Sequence, residues 1–410
     1  MAVIALLIPF PTLLWASNAG TSGGTVLNVP VGARAIAMGE AFTAQADDVS
    51  SLYWNPAGLA FLNQSQASFM YNQYLKDLTY NNAAVAVPLE NAALGGSASY
   101  LSYGHIAGAD AAGNPTADVN AYSGVATVGG AWLGNNWAAG FNLKAVQESL
   151  ADVKATGVAA DVGATLIYPE EIKGGTLRAA AVLRNVGSGL KFINQTDPFP
   201  RQWRAGVAAV QMMDRKLNMS LDYGKERDSD GAVYAGAEYW LIPYLALRGG
   251  YAGSDTQGNG VRAGIGLKFK DISFDYAYSS YGELGFAHRY ELSLRFGAIQ
   301  PRLTPEERRI LRRAKIAMAE ERFGEATLLL DSLVQLEPAY KPVRRLVKTS
   351  MLSYDKQERA GIMTFHALNP AHPQKQTVDN GEDLKELETL LNINDDALAQ
   401  MPPAPSQEKK

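Results

Sequence analysis

For covalent or metal chemistry this 410-residue chain offers four histidines and no cysteine. His105, His288, His366 and His372 are scattered, and none falls in a spacing that holds a metal or activates a nucleophile. Each reads as a surface or rim histidine, because a catalytic triad needs a geometry that this spacing does not suggest. The lack of cysteine removes disulfides, thiolate metal sites and thiol nucleophiles together. Gly129-Gly130, Gly174-Gly175 and Gly249-Gly250 do not open helices, so they are read as bends and tight turns rather than phosphate loops. The one basic cluster is Arg308, Arg309, Arg312, Arg313 and Lys315. It suits an acidic partner or lipid head groups, but Glu306, Glu307, Glu320 and Glu321 lie close and favour a solvated helix face. A formal net charge of -4 gives no general reason to expect nucleic acid. The expectation is a protein that is not an enzyme and uses no cofactor and no metal.

The side chains with physical work to do are charges on strands. From Gln66 to Gly297 the sequence divides into segments of about 9 to 14 residues separated by turn chemistry, the length of tilted membrane strands. About fourteen are expected, starting near Gln66, Thr79, Ala92, Val119, Asn136, Ala155, Thr176, Arg201, Arg215, Gly231, Pro243, Gly260, Asp271 and Ala287. Alternation is clearest late in the run. Ile272, Phe274, Tyr276 and Tyr278 face one way, while Ser273, Asp275, Ala277 and Ser279 face the other. Connections after even strands are short, as at Leu89-Glu90-Asn91 and Lys270-Asp271, and most after odd strands are longer, as at Gly104 to Asp118 and Ser188 to Pro200. This parity suits a barrel with both chain ends on one side. Abundant glycine (39) and tyrosine (19) with only 19% charged residues suit tight turns, small lumen residues and aromatic girdles.

In that register Arg178, Arg184, Arg248, Arg262, Lys268 and Arg295 face inward with Asp222, Glu238, Asp275 and Glu291. Opposite charges in a narrow, partly dry space should pair, because an unpaired buried charge is costly. The lumen is therefore expected to be closed. Something must share it, and Gly32 to Ala60, directly before the first strand, is the candidate. Its Arg34, Asp47 and Asp48 are natural partners for the lumen charges, and Asn55-Pro56 can make a fixed turn.

Asn55-Pro56-Ala57-Gly58-Leu59 resembles the NPA hatch motif of FadL-like hydrophobe channels, and the whole stretch Gly32 to Ala60 resembles the N-terminal segment of the PorV/PorQ family. The last strand, Arg289 to Phe296, is similar to the outer-membrane β-signal. These resemblances imply a mainly β fold: an outer-membrane barrel of about fourteen antiparallel strands with an N-terminal plug, in a diderm bacterium, both chain ends in the periplasm. They imply one of two roles. The first is a PorV/PorQ-type scaffold for secretion or surface assembly, holding a periplasmic or secreted protein. The second is a FadL-like conduit for hydrophobic compounds such as long-chain fatty acids.

The flanks differ in kind. Val3 to Trp15 is an apolar run too short to span a bilayer, and Ser17-Asn18-Ala19 offers small residues where a signal peptidase reads, so residues 1–19 are expected to be a signal peptide. Residues 20–65 form the plug segment and 66–298 the barrel. At Pro301 glycine and tyrosine give way to Glu, Arg, Leu and Ala, which marks a water-facing helical module over 301–365. Thr304-Pro305-Glu306-Glu307 starts one helix, a turn is expected at Phe323-Gly324, and a second helix runs from Glu325 to about Leu336, with a third from Ala339 to about Tyr354. The first pair resembles one tetratricopeptide repeat: Ile310, Ala314, Ala326, Leu330 and Pro338 fit, whereas Ala317 stands for the usual Tyr and Leu333 for the usual Ala. Residues 366–410, rich in Pro, Gln, Asp and Glu, are expected to be mostly disordered, with one helix at Glu382 to Asn392.

Overall fold

A computed structural model describes residues 20–368, apart from 74–77, 110, 111, 113, 152, 169–171, 173, 174, 255–257, 301, 302, 304, 337 and 339. The expected signal peptide, residues 1–19, and the tail from residue 369, with its expected helix, lie outside the described residues. Two compact units are present, Met1–Lys348 and Thr349–Lys410.

The first unit is built on strands that alternate apolar and small or polar residues. In chain order they are β1 (Ser65–Gln73), β2 (Thr79–Pro88), β3 (Ala92–Ser102), β4 (Ile106–Ala109), β5 (Pro115–Val119), β6 (Ala121–Leu133), β7 (Trp137–Leu150), β8 (Val153–Ile167) and β9 (Thr176–Gly187). There follow β10 (Leu190–Lys191), β11 (Thr196–Asp197), β12 (Gln202–Gln211), β13 (Leu217–Glu226), β14 (Ala232–Ile242), β15 (Leu245–Ala252), β16 (Val261–Phe269), β17 (Ile272–Ser280) and β18 (Phe286–Phe296). β4 with β5 and β10 with β11 make two small hairpins, which reading by alternation alone leaves as loops. The other fourteen close into an antiparallel barrel in which β18 pairs with β1, Ser65 opposite Phe296. Each barrel strand starts within two residues of the position that its alternation predicts.

Period two decides what each face carries. Phe69, Leu94, Val128, Val162, Val207, Leu247, Phe274 and Leu292 point outward and are exposed, a belt of large apolar side chains with no protein cover. Their neighbours Met70, Asn142, Asp161, Asp275 and Glu291 point inward and are buried. This is the reverse of a water-soluble β-fold, in which the apolar face is the covered one. No described helix is long and apolar enough to cross a membrane, which says nothing of strands.

What covers the inward face is the N-terminal segment. It runs through a 3-10 turn (Thr25–Asn28), a short helix (Ala33–Ala37), a helical turn (Ser51–Trp54) and a second 3-10 turn (Pro56–Phe61). Ile36, Met38, Phe42, Trp54 and Leu59 are among its fully buried side chains. Their partners Met70, Tyr80, Val125 and Val146 come from the inner faces of β1, β2, β6 and β7. Glycine lets backbone approach backbone here. Gly236 and Gly250 face each other across β14 and β15, and a Cβ on either would strike Met38 or Gly39. Gly140 and Gly163 face each other across β7 and β8, and a Cβ there would strike Asn55 or Pro56. Gly250, Gly129 and Gly130 therefore lie in mid-strand rather than at bends, because the contact that excludes a side chain comes from within the barrel or from the adjacent strand.

Beyond β18 the helices Pro305–Ala319 and Phe323–Leu336 pack about Leu311, Ala314, Leu330 and Leu333, with Leu303 and Val343 against them. The turn between them falls at Glu320 to Arg322, before the expected Phe323-Gly324. Glu321 takes the left-handed conformation (φ 59°), and the Arg322 N–H donates to the Ala317 carbonyl (2.8 Å), closing the first helix early. Arg322 also bridges Glu320 and Glu325. The third helix, Lys341–Leu368, is longer than expected.

Candidate functional site

The site is the contact between the N-terminal segment and the barrel wall. Its charged half centres on Arg34, which stands in the Ala33–Ala37 helix. The guanidinium donates to Asp47 Oδ1 (2.6 Å) and Asp48 Oδ2 (2.9 Å) on its own segment, and to both carboxylate oxygens of Glu238 on β14 (2.9 and 3.0 Å). Burial works against its charge, yet the Asp47, Glu238 and Asp48 carboxylates hold its pKa well above the ordinary value. Glu238 in turn accepts from Arg248 Nε (2.7 Å) and Asn218 Nδ2 (2.7 Å), and Arg248 reaches Asp275 at 2.6 Å. Glu291 accepts the Ala33 N–H at 2.7 Å. The chain thus ties Arg34 to β14, β15 and β17 through groups that are nearly all buried, where removing one partner leaves an uncompensated charge.

The opposite half is neutral. Asn55 Oδ1 accepts the Ala57 N–H (3.1 Å) and caps the Pro56–Phe61 turn, with Pro56 at its first position. Asn55 Nδ2 donates to the Thr43 carbonyl (2.8 Å) and to Thr165 Oγ1 on β8 (3.2 Å). Asn142 on β7 donates to the Leu52 carbonyl (2.7 Å). Ala57, Leu59, Ala60 and Leu62 pack on Ala84, Ala86, Ala93, Ala131 and Ala138 of the wall. Gly58 is fixed by space, since a Cβ there would lie 2.6 Å from the Ala46 carbonyl and from Ser51 Oγ.

Between the halves, Asp222 accepts the Thr43 N–H (2.9 Å), and Arg204 donates to the Glu40 carbonyl (2.7 Å) while lying 5.3 Å over Trp54 and 3.8 Å over Tyr234. Arg184 donates to the Tyr53 carbonyl (2.9 Å), covers the Tyr53 ring at 4.5 Å and bonds Gln202. Arg262 is 4.0 Å from Glu40, and Arg178 lies 4.0 Å over Phe61. Lys268 and Arg295 are half-buried. Lys268 lies over Trp240, and Arg295 donates to the Lys270 carbonyl (3.0 Å). Both line a chamber of about 770 Å³ with Arg34, Asp47, Asp48, Glu238, Arg248, Asp275 and Glu291. Asp47 and Asp48 pair with the segment's own Arg34, and Arg178 of the wall also attracts Asp47.

Sequence reasoning missed Arg204, Arg289 and the Lys144–Asp161 pair (2.7 Å), all buried. A signal was available: Lys144 follows outward Leu143, and Asp161 precedes outward Val162, so strand parity alone puts both inside. Asp161 also accepts the Asn185 N–H (2.9 Å), where β9 bulges and Asn185 has φ 60°. His105 pairs with Asp118 at the exposed β4–β5 hairpin (3.2 Å), and His288 bonds the Tyr276 hydroxyl (2.9 Å) on the outer face of β18. Among the described residues no cluster of His, Asp and Glu could hold a metal.

Outside the barrel, an apolar groove of about 630 Å³ runs over β8, β9, β12 and β13, walled by Leu166, Tyr168, Met219 and Leu221 and floored by small residues such as Ala179 and Ala209. On the inner side of this same wall Ala44 of the segment packs on Ala180, Ala208 and Val210.

The model of an uncharacterised protein family (UPF0164) matches residues 18–168. Curated protein sequences give no match. Among solved structures, the toluene transporter TbuX of Ralstonia pickettii is 15% identical with a TM-score of 0.46, covering 65% of this chain and 98% of its own. The toluene transporter TodX of Pseudomonas putida is 12% identical with the same TM-score, covering 65% and 99%. A FadL homologue of Pseudomonas aeruginosa is 11% identical with a TM-score of 0.37, covering 63% and 96%. At these scores the likeness assigns no ligand, and the barrel rests on the strand pairing described above.

Proposed function

We infer that this protein is an outer-membrane barrel whose N-terminal segment is a plug, and that it works as a gated conduit for hydrophobic compounds. The observation that carries this reading is the apolar groove of about 630 Å³ on the outer wall, back to back with Ala44 and sharing β8 with Thr165, the partner of Asn55. A hydrophobic molecule entering from the long-loop end would pass the hatch when the neutral half of the contact yields, and leave sideways into that groove. The outward apolar belt supports the membrane location, since lipid is the solvent in which such a face is stable. Binding and passage need no covalent step, so the reading is non-enzymatic, without cofactor or metal. The arrangement with the segment seated on the wall is then the resting state.

A PorV/PorQ-type scaffold is the second reading. The tetratricopeptide-like helix pair favours it, because its exposed Leu328 and Leu336 offer apolar contact to a periplasmic or secreted protein. Purified protein in lipid vesicles distinguishes the two. A conduit admits a hydrophobic fluorescent probe faster than empty vesicles do, and Gly163→Val, which drives Asn55 off the wall, raises the rate further. Probe entry at the rate of empty vesicles, in the wild type and in the variant alike, overturns the conduit.

A further inference from the structure

The Pro305–Ala319 helix shows one polar face, and the structure gives that face a place. Arg312 Nη2 donates to Asn136 Oδ1 at 2.8 Å, and Asn136 lies in the turn between β6 and β7. Arg309, Arg312, Arg313 and Ile316 recur at intervals of three and four and so lie along one side of the helix, opposite buried Leu311, Ala314 and Ala317. Arg309 and Arg313 are exposed and have no ion pair among the described residues, and Ile316 is 48% exposed.

The turn that Arg312 grips is framed by outward Trp132 and Trp137, and Trp132 stacks on Phe141 at 6.3 Å. Outward tryptophans at the end of barrel strands sit at the depth of the membrane–water interface. A helix turn rises about 5.4 Å, so Arg309, Arg313 and Ile316 lie within about one turn of that depth. Two guanidiniums that present five donors each, beside an exposed isoleucine, match a phosphodiester above the start of an acyl chain.

We propose that this helix face is a binding surface for anionic phospholipid head groups of the leaflet at the short-turn end, holding the helix pair against the membrane beside the β6–β7 turn. The proposal rests on the membrane reading of the barrel and is independent of what the barrel conducts. An acidic protein is the competing occupant, and charge alone does not choose between the two. The tryptophan frame and Ile316 favour lipid.

The chain has no cysteine, so Ala319→Cys takes a single fluorophore beside this face. The full-length labelled protein is placed in nanodiscs of phosphatidylcholine with or without phosphatidylglycerol, each carrying a head-group-level quencher. The expected result is stronger quenching with phosphatidylglycerol, lost in high salt and reduced about fivefold in lipid selectivity for each of Arg309→Gln and Arg313→Gln. Both substitutions are on an exposed helix face and leave the barrel intact. Equal quenching in the two lipids, or selectivity unchanged in the double variant, overturns the proposal. So does a label that responds to polyglutamate but not to phosphatidylglycerol. Protease protection of the strands in the same discs reports insertion separately, so a failed membrane reading is told apart from a failed lipid surface.

Discussion

The N-terminal segment meets the barrel at two opposed places, and they are fastened differently. At the Arg34 to Gly39 end the wall is β14 to β18, and the fastening is ionic: Arg34, Glu238, Arg248 and Asp275 in series, with Glu291 on the Ala33 N–H. At the Asn55 to Phe61 end the wall is β6 to β8 with β2 and β3, and the fastening is mainly neutral hydrogen bonds and alanine packing. A cross-strand glycine pair receives the backbone at both ends, so close approach is common to them, and the ion-pair series sets the first apart. Breaking the first strands a buried series of ion pairs; breaking the second costs neutral hydrogen bonds, alanine packing and the Arg178 contact with the Phe61 ring. The segment is therefore built to stay at one end and give way at the other.

The severest way to break that comparison is Glu238→Ala, which leaves Arg34 and Arg248 without their shared carboxylate. A loss of about 3 to 5 kcal/mol is expected, read as a lower unfolding midpoint in detergent. A loss no greater than that of Asn55→Ala would put both ends on one footing. Next is Val162→Arg, on the outer face of β8, expected to cost about 2 to 4 kcal/mol in lipid and little in detergent if that wall faces the bilayer. Gly163→Val should cost about 1 to 3 kcal/mol by overpacking, and protease should then cut near Asn55 while Arg34 stays protected. Equal cutting at both ends would contradict a fixed end and a yielding one. The smallest effect is expected of Asn55→Ala, about 1 kcal/mol, from loss of the turn's cap and of the bond to Thr165. Its sharper readout is faster hydrogen exchange confined to residues 55–61.

Much of the barrel is legible in the sequence because outward-facing and lumen-facing positions alternate without exception in strands such as β17, where Phe274 and Asp275 need opposite surroundings. Arg34, Asp47, Asp48 and Asn55 were legible through their motif. The pairing of Arg34 with lumen Glu238 agrees with that reading, but its pairing with Asp47 and Asp48 was not legible, because nothing in their spacing says that a helix start and a later turn fold back on each other. The glycine pairs were hidden for a related reason. A glycine in mid-strand reads as a bend until its opposite number and the backbone that presses on both are known. The bulge at Asn185 was equally invisible, since a one-residue slip of register depends on Asp161 in the neighbouring strand.

One feature of the ring bears on how the protein is made. The pairing that closes it joins Ser65 to Phe296, and the Gln300 N–H then binds the Asn63 carbonyl at 2.6 Å, so the last strand synthesised docks on the first. Until that contact forms, the inward row of Glu238, Arg248, Asp275 and Glu291 belongs to an open sheet and faces whatever surrounds it. The segment that pairs with and covers this row is attached directly ahead of β1 and precedes every strand in the chain. It is placed to act as an internal mould: the sheet wraps around a core that is already there, and closure seals the core in.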